Sequence, residues 1–293
     1  MLLQLLANGL VNGCMIALMA LGYALIYNTT RIFHVAHGAA YTAAAYLCYL
    51  LLIVFKWPLL LAVVGGVAAA ALLGVTMELA VYAPLYRRGA SDLISLISSL
   101  GLYVALVNLI ALLFGNETKV LRPGVEKTCR LLGVILTRIQ VAEVVVAAVL
   151  LPLLVLFLKR TLWGKIIRGV RDNPVLAEVL GIDLMAVRIA VFAAGSALAG
   201  MAACLTALDV GMDPQVGMPV LLTAAVALIV GGVGTFEGPV IGGFLLGLIQ
   251  SLIVWKISAQ WTDVITFGVL IVFLVFRPEG IASRRRRLEE SAA

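Results

Sequence analysis

The residues of this chain best suited to act on another molecule lie in one polar insert, residues 161–183, between two strongly apolar segments. Asn173 is of a type that caps helix N-termini, Pro174 suits a first helical turn, and Gly181 suits the residue after a helix ends. The insert therefore predicts a short helix in the aqueous phase.

Two faces of this short helix could each take part in recognition. Val175, Leu176, Val179 and Leu180 form an apolar stripe at helical spacing. Its charged surroundings are Arg168, Arg171, Asp172 and Glu178. A partner protein can bind a helix through such an apolar face, and the charged rim can fix the orientation of the bound helix. The alternative is an amphipathic loop helix that lies on the inner membrane leaflet.

Polar residues within apolar segments are the second group of candidates. Asn8 and Asn12 share one helical face beside Gly9 and Gly13, which indicates either a close helix contact or the lining of a pathway. Glu78 lies near the end of its apolar segment, where Arg87, Arg88 or water could neutralise it.

His34 and His37 stand three residues apart at a break between apolar runs. A metal site would need a third ligand, and no clear one is nearby in sequence. The remaining interpretations are hydrogen bonding at a helix start or direct contact with a transported substrate. Neither histidine has a carboxylate neighbour in sequence, and no GxSxG motif occurs, so hydrolase chemistry is not indicated.

The elements that position these residues follow from composition. Of 293 residues, 63% are hydrophobic and 12% charged, whereas soluble domains have about 25% charged residues. Apolar runs of roughly 20 residues predict a polytopic membrane protein. The spans expected are approximately 7–27, 39–55, 58–82, 93–114, 141–158, 187–207, 219–236, 240–255 and 262–276. Because the segments near 39–55 and 219–255 could be broken or re-entrant, eight crossings are nearly as well supported as nine.

The basic residues predict an orientation. With the N-terminus outside, inner loops hold fourteen Lys and Arg residues, including Arg188 and the Arg284–Arg287 run, and outer loops hold seven. Basic residues favour the cytoplasmic side, so the insert and the C-terminus are expected there. The net charge of +6 is divided among short loops beside apolar spans, which does not favour a nucleic-acid partner. The longest outer loop, 115–140, is expected to form a small element on the outer membrane face.

A weak internal pseudo-repeat is indicated by two interruptions rich in small residues. One follows Phe33 and continues to Tyr46, and the other runs from Gly231 to Gly243. Transporters repeat such breaks in their two halves close to the substrate path. Two tight loops between helices would explain the same pattern. Glu237, in the second break, could cap a half-helix or pair with a basic loop.

Four stretches, in matching order and spacing, resemble the permease subunits of bacterial ATP-binding-cassette importers for branched-chain amino acids, and in particular the shorter H-type subunit. They are Gly9–Gly13 with Ala20–Tyr23, Ala36–Gly38 after Phe33, Arg168–Asp183, and Gly231–Pro239 with Arg277–Gly280. The chain departs from the family at Phe33-His34-Val35, where Asn-Phe is commoner.

The resemblance implies a single transmembrane permease domain over residues 1–293, an all-α polytopic protein of eight to nine transmembrane helices. Its cytoplasmic coupling loop would span about 159–187 and carry the ATPase-coupling residues Arg168, Arg171, Asp172, Asn173, Pro174, Glu178 and Gly181. The translocation path would include Asn8, Asn12, His37, Gly38, Gly231, Gly232, Gly234 and Glu237.

Four partners are implied: a second related permease subunit, two cytoplasmic ATP-binding subunits, a periplasmic solute-binding protein, and the lipid of the bacterial inner membrane. The sequence holds no GxxxxGK[ST] phosphate loop, so ATP hydrolysis is expected on a separate polypeptide and no cofactor or metal in this one. Permeases for urea or short amides remain an alternative, as does, less well supported, a transporter or channel that works without ATP.

Overall fold

The computed structural model describes residues 2–121, 128–131 and 133–282. The Arg284–Arg287 run, counted above among the inner basic residues, lies outside the described residues. Within the described ranges, twelve α-helices and one β-hairpin follow in chain order. Short π-helical turns extend α2 and α3, and a 3₁₀ turn precedes α12. The elements are α1 (Leu2–Thr30), α2 (His37–Tyr49, π turn Leu50–Val54), α3 (Leu59–Met77, π turn Glu78–Tyr82), α4 (Ala83–Arg87), α5 (Asp92–Phe114), β1 (Thr128–Leu131), β2 (Val134–Thr137), α6 (Arg138–Arg160), α7 (Leu162–Asp172), α8 (Pro174–Val179), α9 (Leu184–Val210), α10 (Gly217–Gly231), α11 (Gly238–Lys256) with the 3₁₀ turn Ala259–Trp261, and α12 (Thr262–Phe276).

Among the described residues, eight helices are long and apolar enough to cross a membrane, and α10, with 15 residues, is a shorter apolar helix. The chain is therefore an all-α polytopic membrane protein. Many of its exposed leucines, valines and isoleucines lie along α3, α5, α6 and α12, where lipid can cover them. The buried centre is formed by α1, α2, α9 and α10.

The two ends of the bundle differ in structure. The predicted small element in the 115–140 loop is an antiparallel hairpin that pairs Thr128 with Thr137. The side-chain amide of Gln4 bonds both backbone groups of Ile135, at 2.8 and 2.9 Å, and so ties the hairpin to the start of α1. We call this the hairpin end, and the opposite end, which carries α7 and α8, the insert end.

The chain contains an inverted internal repeat. Helices α1, α2, α3 and α5 correspond to α9, α10, α11 and α12, because the main packings of one set recur in the other: α1 on α11 matches α9 on α3, α1 on α10 matches α9 on α2, α2 on α3 matches α10 on α11, and α2 on α5 matches α10 on α12. Helix α1 begins at the hairpin end, whereas α9 ends there with Asp209 accepting a hydrogen bond from Thr137. The two halves therefore run in opposite directions.

The repeat differs in alignment from the one predicted. The break after Phe33 corresponds to residues 211–216 and not to Gly231–Gly243, which corresponds to the α2–α3 connection. Sequence reasoning chose the second break for its glycines. The correspondence between the halves is defined by which helices pack against one another. The loop residues of the corresponding connections are not similar in sequence.

Small residues set the close contacts at the centre of both halves. A Cβ added to Gly247 would lie 2.4 Å from the Cα of Gly13, and one added to Gly74 would lie 2.7 Å from the carbonyl oxygen of Phe192. Small residues four apart let membrane helices approach closely in this way. Cys14, Cys48 and Cys204 are buried, where a free cysteine packs as a small hydrophobic residue, while Cys129 is exposed.

Candidate functional site

The insert folds as the sequence predicts at its local signals. Asn173 accepts a hydrogen bond from the amide of Leu176 at 3.0 Å and caps α8, Pro174 is its first residue, and Gly181 adopts φ +82° after its end. The connection to α9 is also capped, since Asp183 accepts hydrogen bonds from the amides of Met185 and Ala186. Helix α8 is therefore held between two caps.

The apolar stripe of α8 is left uncovered. The side chains of this stripe are 54–79% exposed, although they belong to valine and leucine: Val175, Leu176, Val179 and Leu180. Glu178 is exposed beside them, and Ala177 is the α8 residue that packs inward. Such a surface on a polar segment is typical of an interaction site.

Arg171 joins the insert to the break between α10 and α11. Its guanidinium donates to the carbonyl oxygen of Gly234 at 2.9 Å, lies 5.4 Å from the ring centre of Phe236, and pairs with Asp172 at 2.8 Å. The side chain of Asn28, near the end of α1, bonds both the amide of Gly234 and the carbonyl of Thr235 at 2.9 Å. The insert, the break and α1 thus meet at one point.

The same break is held from two further sides. Lys159, at the end of α6, forms a salt bridge with Glu237, which makes no side-chain cap hydrogen bond to α11. Of the two roles considered for Glu237, pairing with a basic residue is the one found. On the other side, the amide of Ala282 donates to the carbonyl of Gly231 at 2.8 Å. Gly280, at φ +79°, lies so close to Gly232 that a Cβ there would be 2.4 Å from its Cα.

The histidines lie deeper in the bundle. Nδ1 of His34 lies 2.7 Å from the hydroxyl of Tyr82, which donates to Ser99, and Ser99 in turn accepts from the amide of Ala36 at 3.0 Å. This is the predicted hydrogen bonding at a helix start. His37 is fully buried beside Tyr23, and among the described residues neither of its ring nitrogens has a hydrogen-bond partner.

Gly38 marks the place where the two halves meet. A Cβ on Gly38 would lie 2.7 Å from the carbonyl oxygen of Gly217, and one on Gly217 would lie 2.2 Å from that of Gly38. Helix α2 begins at His37 and α10 begins at Gly217. The N-terminal ends of the two broken helices therefore cross inside the protein.

Asn8 and Asn12 lie towards the hairpin end. Asn8 accepts a hydrogen bond from Gln4 at 3.0 Å, and Asn12 donates to Gln250 at 2.8 Å. Gln250 donates to Thr266 at 3.0 Å, which continues the chain of hydrogen bonds into α12. Asn12 also borders a groove of about 180 Å³ whose polar members include Tyr41, Thr206, Thr223, Gln250 and Asp263.

The residues predicted for a pathway therefore separate into three places. Asn12 borders the groove and Asn8 borders a neighbouring one, His37 and Gly38 lie in the buried centre, and Gly231, Gly232, Gly234 and Glu237 lie at the insert end beside Arg171. The insert residues Arg168, Arg171 and Asp172 border the same cleft as Gly234 and Glu237.

Two charged residues were assigned wrongly or missed. Arg188, counted in an inner loop, is 5% exposed within α9 and donates to both carboxylate oxygens of Glu78, at 2.5 and 3.1 Å. Arg87 and Arg88 are therefore not the partners of Glu78. Glu143, 2% exposed within α6, was overlooked, although its place within an apolar run was a signal for it.

Comparison with known proteins gives a consistent result. The family described as branched-chain amino acid transport system, permease component, matches residues 5–274. The high-affinity branched-chain amino acid transport system permease protein BraD of Pseudomonas aeruginosa is 31% identical, over 96% of each chain. LivH of Escherichia coli K12, a permease protein of the same description, is 28% identical over 96% of each chain. A probable branched-chain amino acid transport permease protein LivH of Methanocaldococcus jannaschii is 29% identical, over 95% of this chain and 91% of its own. No solved structure matches the chain significantly.

Proposed function

Because this chain belongs to the family of branched-chain amino acid transport system permease components, we propose that it is the permease subunit of an importer that carries aliphatic, branched-chain amino acids at the expense of ATP. It is a transport subunit and not an enzyme, as its relatives are permeases. The observation that carries the proposal is the capped helix α8, whose apolar stripe stays exposed at the insert end.

Helix α8 is the part of the chain that an ATP-binding subunit grips. Its four exposed apolar side chains can fill a groove on that subunit, and Glu178 can fix the register at the rim. Movement of α8 passes directly to α9 through the Asp183 cap and to the α10–α11 break through Arg171. A shift of the ATP-binding subunits would thus reach two elements of the second half of the repeat from one contact.

The subunit pairs with a second permease and receives its substrate from a solute-binding protein on the outer side of the bacterial inner membrane. Its N-terminus and hairpin face outward, and the insert and C-terminus face the cytoplasm, in agreement with the distribution of basic residues. The Asn12 groove forms this chain's share of the path. Its walls are largely apolar, with Met15, Ile16, Pro219 and Val220 among them, which suits a zwitterion with an aliphatic side chain.

Uptake into vesicles that carry this chain with its co-expressed partner subunits tests the proposal. Radiolabelled leucine is expected to accumulate when ATP is supplied and not without it, and radiolabelled urea is not expected to accumulate. ATP-dependent uptake of urea alone would support ATP-driven import and show that the substrate is urea and not a branched-chain amino acid. Movement of either solute without ATP would overturn the importer assignment.

Two substitutions test the role of α8 in the same assay. Glu178→Lys reverses the rim charge, and Gly181→Pro imposes a φ near −65° where the chain has +82°. Both are expected to lower ATP-driven uptake about tenfold or more while the protein still inserts in the membrane, because interface anchors dominate such contacts. Glu117→Lys makes the same charge change on an exposed residue near the hairpin end and should leave uptake unchanged. Normal uptake by both α8 variants would show that α8 does not couple to the ATPase.

A further inference from the structure

A cleft of about 530 Å³ opens at the insert end between α6, α7 and the α10–α11 break. Four basic side chains and two acidic ones border it: Arg31, Lys159, Arg168, Arg171, Asp172 and Glu237. The cleft also has apolar walls, including Val155, Leu158 and Phe236. The cleft is therefore bordered by both charged and apolar side chains.

The basic side chains outnumber the acids. Among the described residues, the salt bridges of the cleft join Lys159 to Glu237 and Arg171 to Asp172. Arg31 and Arg168 add two positive charges to those pairs. Arg168 donates to the backbone carbonyl of Lys159 at 3.4 Å and pairs with no carboxylate of the described residues, and Arg31 is exposed. The cleft therefore attracts an anion.

The cleft lies at the level of the bundle where lipid head groups are expected. Helix α6 is apolar from Val144 to Leu158 and then turns basic at Lys159 and Arg160, which is the change expected where a span leaves the hydrocarbon. Helix α7 follows with Leu162 and Trp163 exposed by 75% and 49%, and with Lys165, Arg168 and Arg171 among its other residues. A short amphipathic helix of this kind lies in the membrane interface.

The apolar side of the cleft continues onto the lipid-facing surface of α6. Leu153, Leu156 and Phe157 are exposed by 60%, 52% and 39%. A second, apolar cavity of about 310 Å³ shares Leu158 with the cleft and includes Phe157, Trp163 and Ile167. Acyl chains of a lipid held in the cleft would have these surfaces to lie on, whereas a soluble anion would leave them unused.

We propose that this cleft binds the phosphate group of an anionic phospholipid of the inner leaflet, with Arg31 and Arg168 as its principal ligands. The lipid would bridge the end of α1 and the amphipathic helix α7, close to the contact of Arg171 with the α10–α11 break. Clusters of basic residues on the cytoplasmic side of membrane helices recognise anionic head groups in this manner. The assignment does not depend on which solute the chain transports.

Fluorescence of Trp163 gives a direct test, since Trp163 lines the apolar cavity beside the cleft. The other three tryptophans, Trp57, Trp255 and Trp261, are replaced by Phe in the full-length chain. The protein is placed in phosphatidylcholine vesicles that contain, at equal mole fraction, either brominated phosphatidylglycerol or brominated phosphatidylcholine. Brominated phosphatidylglycerol is expected to quench Trp163 more strongly.

The double variant Arg31→Gln/Arg168→Gln should lower this preference for the anionic lipid about tenfold or more, as each basic residue near the surface adds to the attraction. Arg87→Gln/Arg88→Gln is the matched control, because both residues are exposed and lie in another loop, and it should retain the preference. Equal quenching by the two lipids, or the same loss in the control, would overturn the proposal. Abolition of the preference by inorganic phosphate, or by added ATP-binding subunits, would assign the cleft to a soluble anion or to a protein partner instead.

Discussion

At the scale of single residues, the ion pair of Glu78 with Arg188 is a buried polar contact between the two halves. Both side chains are buried, the arginine donates two hydrogen bonds to one carboxylate, and its guanidinium lies 4.7 Å from the ring centre of Tyr86. Fork-shaped pairing of this kind suits arginine and fixes geometry as well as charge. Glu78 begins the π turn of α3, and Arg188 lies in the second turn of α9, close to α8.

Removal of both partners should cost less than the two single removals added together. Glu78→Gln leaves an uncompensated buried guanidinium, and Arg188→Met leaves a buried carboxylate, so each is expected to destabilise the protein by about 3–5 kcal/mol. The double variant Glu78→Gln/Arg188→Met should lose less than the sum of the two. Thermal unfolding in detergent measures all three, with Glu117→Gln as the exposed control. Additive losses would show that the two charges do not stabilise each other.

The same residues show which predictions a sequence supports. Asn173, Pro174 and Gly181 were predictable because a helix cap depends on neighbours within a few positions. Arg188 could not be found as the partner of Glu78, because the two lie 110 positions apart and the sequence offered Arg87 and Arg88 nearby. The lack of a hydrogen-bond partner for the His37 nitrogens within the described part of the chain likewise depends on how α1 and α2 pack.

At the scale of elements, the crossing of α2 with α10 depends on the absence of side chains at Gly38 and Gly217. Each glycine faces the backbone carbonyl of the other, so the starts of the two helices lie in direct backbone contact. The spans themselves were largely predictable from apolar runs, and most observed helices extend a few residues beyond the predicted ones. The crossing was not predictable, because the sequence around Gly217 does not distinguish it from the other glycines in apolar runs.

Gly217→Ala should break this crossing. The new methyl group would lie 2.2 Å from the carbonyl oxygen of Gly38 and 2.6 Å from the hydroxyl oxygen of Thr42, and overpacking of this kind costs about 1–3 kcal/mol. Gly101→Ala is the matched control, since that helical glycine has no atom within 4 Å of an added Cβ. The thermal midpoint in detergent should fall for the first variant and not for the second. Equal midpoints would mean that α2 and α10 can separate without loss.

At the scale of the whole molecule, the inverted repeat gives the two halves similar cores and different ends. Helix pairs α1–α11 and α9–α3 share the same antiparallel packing through small residues. The insert of α7 and α8 precedes the second half, and the hairpin lies between the halves. The core is symmetric, but the insert of α7 and α8 is attached directly to the second half. A force on the insert can therefore move the second half relative to the first, as alternating access requires.

This arrangement needs the insert and the hairpin on opposite sides of the membrane, and the native cysteines can test that. Cys129, on β1, is exposed, whereas Cys14, Cys48 and Cys204 are buried, so a membrane-impermeant maleimide added to intact spheroplasts should label Cys129 from outside. In a Cys129→Ser background, Leu180→Cys adds a thiol at an exposed position on the insert, and it should react only after the membrane is permeabilised. Labelling of both positions from the same side would contradict the orientation and, with it, the assignment of α8 to a cytoplasmic ATPase. Reversed labelling would place the insert on the side where a solute-binding protein acts. The distribution of basic residues in the chain would then contradict the positive-inside rule.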